Sequence, residues 1–96
     1  MSFGSRALNL SRVVPGMLFR QHKKETTYIL KAVAINKLNP KDHTVVFETH
    51  HSVESLRQVF TMPLSEFLDY EVTPNAFVPK YFEWTEEDQQ REDRFN

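Results

Sequence analysis

Between Thr26 and Leu38 both alternating sets of positions are apolar, Tyr28, Leu30, Ala32 and Ala34 on one side and Ile29, Val33 and Ile35 on the other. The β-branched content and flanking turn residues predict a long, bent, central strand covered on both faces. Asn39-Pro40-Lys41-Asp42 places Asn and Pro at the first two positions of a type I turn, so the chain is expected to reverse there. The run His43–Thr49 then alternates, with Val45 and Phe47 inward and Thr44 and Glu48 outward. Leu56, Gln58, Phe60 and Met62 share one face of a further strand. Pro63 ends it, and Leu64, Phe67 and Leu68 fit a single helical turn laid on the core.

Upstream, Pro15-Gly16 is a turn signal before a strand over residues 17–22, and Lys23-Lys24-Glu25 reads as a polar hairpin loop. Residues 1–12 read as a flexible arm in which Leu8 and Leu10 are the candidates for docking on the body. After Tyr70 the character changes. Pro74 and Pro79 punctuate an aromatic stretch with Phe77, Tyr81, Phe82 and Trp84, and Thr85 then suits an N-cap followed by acidic residues. That helix is polar all round and in isolation should fray. The pattern therefore predicts a mainly β fold: a small antiparallel barrel over residues 13–72 with one helical turn, and an aromatic, acidic extension over residues 73–96.

The 96 residues, 40 % of them hydrophobic and eight of them Phe, are enough for one small folded domain. There is no cysteine, which excludes disulfides, thiolate metal sites and thiol nucleophiles and suits a reducing cytoplasm. No signal-peptide pattern and no run of the roughly 20 apolar residues needed for a membrane span is present, so a cytoplasmic protein without membrane association is expected. The net charge of −1 conceals an uneven distribution: residues 1–70 hold nine Lys/Arg against six Asp/Glu, and residues 71–96 hold three against seven. A mildly basic body carries an acidic tail.

No motif points to catalysis. His22, His43, His50 and His51 lack chelating spacings, and adjacent histidines point to opposite faces of an extended chain. Glu48, Glu54 and Glu66 belong to no acid–base signature, and two glycines cannot build a phosphate loop. The expectation is a non-enzymatic protein that needs no cofactor or metal.

Two binding surfaces remain. Tyr81, Phe82 and Trp84 are candidate aromatic anchors for a protein partner, with Glu86, Glu87 and Asp88 as charges that steer association. The alternative is single-stranded DNA or RNA held by Arg20, Lys23, Lys24, Lys31 and Arg57 on a basic face. The acidic tail would also suit a cover over that basic face, and an exposed barrel edge would be where a second copy pairs.

Gly16, Phe19-Arg20-Gln21-His22-Lys23, Tyr28-Ile29-Leu30, Val45-Val46-Phe47-Glu48 and Pro63-Leu64-Ser65-Glu66-Phe67-Leu68 together carry a family likeness. Through them residues 15–72, about 60 % of the chain, resemble a family of small bacterial and phage domains of unknown function, the one numbered sixteen-fifty-three. Met62 stands where its members have Arg, and Lys24 where they have Gly. The resemblance implies an SH3-like β-barrel with strands in meander order and a bacterial or phage accessory factor; it implies no activity.

Overall fold

The computed structural model describes Leu8, residues 10–50 and residues 58–95, for the last of these its backbone only. Among the described residues, seven strands and two helices follow a 3-10 turn at Leu10–Arg12: β1 (Leu18–Gln21), β2 (Thr27–Asn36), β3 (Asn39–Thr49), β4 (Val59–Pro63), α1 (Leu64–Phe67), β5 (Tyr70–Val72), β6 (Phe77–Pro79), β7 (Tyr81–Glu83) and α2 (Glu86–Phe95). The mainly β expectation holds. Five antiparallel strands form one sheet in the order β4-β3-β2-β1-β7, and β5 and β6 form a two-stranded ribbon. Among the described residues no pairing joins β4 to β7, so the main sheet has two open edges rather than a closed barrel wall.

The core lies on one face of this sheet. Phe19, Leu30, Val45 and Phe67 are fully buried, with Leu8, Met17 and Phe47 beside them. Phe19 is the hub, with its ring centroid 4.8 Å from Phe67, 5.3 Å from Phe47, 5.6 Å from Tyr28 and 6.1 Å from Tyr81. These are the spacings at which aromatic quadrupoles attract in edge-to-face and offset geometry. Phe67 reaches the hub because Pro63 ends β4 and lets α1 turn inward, as its sequence predicts. Leu8 does dock on the core, whereas Leu10 is 70 % exposed.

The long strand departs from its expected form. Leu30 pairs with Phe47 but Ala32 with Val46, so Lys31 is an extra residue in β2, a β-bulge. The bulge moves Val33 onto the core-facing side with Leu30, and it explains why both alternating sets look apolar. Cover on both faces is not found: Ala32, Ala34 and Ile35 are exposed because, among the described residues, no element packs over this end of β2. The reversal is also displaced. The turn is Lys37-Leu38, closed by the Leu38 amide donating to Asn36 Oδ1 at 2.9 Å, and Asn36 pairs with Asn39. Ile35 pairs with His43, so Pro40, Lys41 and Asp42 loop out of the ladder. Pro40 has no N–H to contribute, and a bulge is where a strand tolerates it. Glu48, expected outward, does occupy the outer face but is only 7 % exposed, a covered carboxylate that has its own interaction partner.

Candidate interaction site beside the edge strand

The outer face of β1 and β7 collects residues from both predicted sets. Cross-strand pairing of Arg20 with Phe82 puts the guanidinium stem beside that ring, and Trp84 lies two residues further along the same face. The Arg20 carbon centre sits 3.6 Å over the Trp84 ring, and Phe82 meets Trp84 at 6.2 Å. Arg20 Nε donates to Thr27 Oγ1 at 2.8 Å, and its two terminal nitrogens donate to the Glu92 carboxylate at 2.7 and 3.1 Å. This fork geometry is specific to arginine. The Glu92 carboxyl is held below its usual 4.5 mainly by that hydrogen bond from Arg20.

These contacts explain why a polar helix is ordered. Thr85 and Asp88 form a capping box: the Thr85 amide donates to Asp88 Oδ2 at 2.8 Å, and the Asp88 amide donates to Thr85 Oγ1 at 3.2 Å. Trp84 Nε1 donates to Gln89 Oε1 at 3.1 Å, which ties the ring to the first turn of α2. The helix is thus secured through polar groups, without the apolar stripe that a docked helix normally presents.

The predicted residues separate accordingly. Tyr81 faces inward against Phe19 and Phe67, and burial raises its hydroxyl pKa above the usual 10.0. Asp88 is 5 % exposed and spent in the cap, so it is not a steering charge, while Glu86 and Glu87 are exposed. Trp84 is half-buried under Arg20. Arg20 is 6 % exposed and already neutralised by Glu92, which takes it out of any phosphate-binding set. Lys23, Lys24 and Lys31 are exposed; Arg57 lies outside the described residues.

Phe82 and Lys23 meet in a place that sequence reasoning did not connect. With His22, Val78 and Pro79 they line a cavity of about 240 Å³ with an apolar wall. His22 is held there by its amide donating to Lys80 O at 2.7 Å, and Lys23 follows with φ of 63°, so the loop turns sharply over the cavity mouth. Lys80 fastens the opposite side by pairing with Glu66 and Asp69, both at 3.0 Å. Those contacts raise the Lys80 pKa above 10.5, and hydrogen bonding to Lys80 lowers that of Asp69 below 3.8.

The strand next to the cavity is also a sheet edge. Lys80 O and the Trp84 amide bond to β1, so the backbone groups of Tyr81 and Glu83 face away from it, and among the described residues no strand pairs on that side. Beyond the cavity, the register of β5 with β6 places Tyr70, Val72 and Phe77 on one ribbon face, where they are 46, 73 and 72 % exposed. Among the described residues no three His, Asp or Glu side chains come together in a metal-binding group, and no helix is long and apolar enough to cross a membrane.

No family model, no curated protein and no solved structure matches this chain.

Proposed function

We propose that this chain is a non-enzymatic protein-interaction module that captures an extended segment of a partner protein along β7. Strand addition needs an edge with unpaired backbone groups and a pocket for alternate side chains of the incoming strand. The observation that carries the reading is the apolar cavity built against Phe82 on the edge strand itself. An aliphatic or aromatic side chain fits its wall, and Lys23 and Lys24 favour acidic residues on either side of that anchor. The exposed Tyr70, Val72 and Phe77 extend the apolar surface available to a partner.

Selection of a random peptide library on the intact chain tests this. Enrichment of peptides with one large apolar residue flanked by Asp or Glu is expected. Their binding should shift the amide resonances of His22, Lys23, Val78 and Phe82 and should drop at least about tenfold in Phe82→Ala, the loss of one apolar anchor. Absence of enrichment, or peptides whose shifts map away from β7, would overturn the proposal.

A further inference from the structure

The end of the β2–β3 hairpin is the part of the molecule that the core does not explain. Every residue from Ala34 to Asp42 is exposed. Leu38 at the tip is 95 % exposed and Ile35 62 %, so both apolar side chains are open to a partner. Lys37 and Lys41 lie in this segment and Lys31 three residues before it, and none of them enters an ion pair among the described residues. Asp42 is the only acid between Lys31 and His43. The ribbon therefore presents concentrated positive charge on a chain whose net charge is −1.

The tip is closed by a local hydrogen bond. The Leu38 amide bonded to Asn36 Oδ1 sets the tip, and the looped-out Pro40 to Asp42 broadens β3 just behind it. One lysine stands at the tip, one on each flanking strand. Asn36 and Asn39 add side-chain amides at the end of the ribbon.

We propose that this β2–β3 arm binds duplex DNA by entering the major groove. A two-stranded ribbon matches the ~12 Å width of that groove. Lys31 and Lys41, on opposite strands of the ribbon, would meet phosphates on the two sides of the groove, and Lys37 at the tip would meet a third. Leu38 would contact base edges such as a thymine methyl group, and Asn39 would supply a hydrogen-bonding amide. A-form RNA has a major groove too narrow for such an arm. An anionic membrane is the lesser fit, because two apolar side chains among polar neighbours give little surface to insert. This site shares no residue with the β7 cavity, so it stands or falls independently of the peptide-binding reading.

Fluorescence anisotropy on the full chain tests it, with a 20-base-pair DNA duplex, the matching single strand, the matching RNA duplex, and vesicles containing phosphatidylserine. Three phosphate contacts predict that duplex DNA affinity falls roughly 40-fold between 50 and 200 mM salt, from a slope of about −0.9 per contact. The double variant Lys37→Ala/Lys41→Ala should reduce that fall to about fourfold. Leu38→Ala should weaken binding several-fold while leaving the salt dependence unchanged, and neither change should move the thermal midpoint, since the positions are exposed. The proposal is overturned by no duplex binding at 50 mM salt, by equal or tighter binding to the single strand, RNA duplex or vesicles, or by a salt slope that the lysine variant leaves intact.

Discussion

Replacing Arg20 with Ala should release α2 while leaving the sheet folded. The side chain is 7 % exposed, so its two methylenes beyond Cβ are buried and contribute about 1.6 kcal/mol at ~0.8 each. The bond to Thr27 adds about 1 kcal/mol, and the stack on Trp84 about another 1. Roughly 3–4 kcal/mol of packing that holds the guanidinium in place on the sheet is lost, and with it the Glu92 pair, through which Arg20 reaches α2. A ten-residue polar helix has almost no stability of its own, so without that pair only the capping box and the Trp84–Gln89 bond are left to hold it. Amide hydrogen exchange across Asp88–Arg94 should approach the rate of an unstructured chain, with a red shift in Trp84 emission, while Leu30 and Phe47 stay protected. Arg20→Lys keeps the charge but not the fork and should fall between the two. Unchanged protection in α2 of Arg20→Ala would refute the reasoning, because some other contact would then hold the helix.

Acid should undock the same helix. Glu92 has a folded pKa below 4.5, so its contribution is complete above that value and disappears as pH falls through the depressed one; Trp84 emission followed from pH 6 to pH 2 should show the transition. A transition that is identical in Glu92→Gln would assign it elsewhere. At the other end of the scale, Lys80 has a raised pKa, so its hold on Glu66 and Asp69 persists below 10.5 and is lost as pH rises through the folded value. Phe67→Ala removes a ring with no exposure that touches Phe19 and Tyr81, and urea unfolding should report a loss of about 3–5 kcal/mol; a cost below about 1 would mean that α1 is not part of the core.

Alternation in the segments 43–49 and 56–62, and the Pro63 stop before an apolar turn, were enough to identify the β framework and the inward Val45, Phe47 and Phe67. Local periodicity reports local geometry, which is why those elements were legible. It could not place the hairpin turn, because a type I signal at Asn39-Pro40 competed with an Asn36 side chain able to close a tighter turn, and pairing of Ile35 with His43 decided between them. Nor could it separate a strand buried on both faces from one that changes face at a bulge, since Lys31 looks the same in either.

The candidate site was less legible still. Phe82 and Lys23 each stood out by residue type, but 59 positions separate them in the chain, and only the pairing of β1 with β7 brings them to one cavity. Docking of α2 on this sheet turns Arg20 from a free cation into the group that holds the helix, while Asp88 is taken up locally in the cap with Thr85. By itself the sequence determined that this chain is a small β protein with a basic body and an acidic tail. Tertiary structure decided which charges of the body remain available, because Arg20 loses its freedom only when folding brings Glu92 to it from 72 positions along the chain.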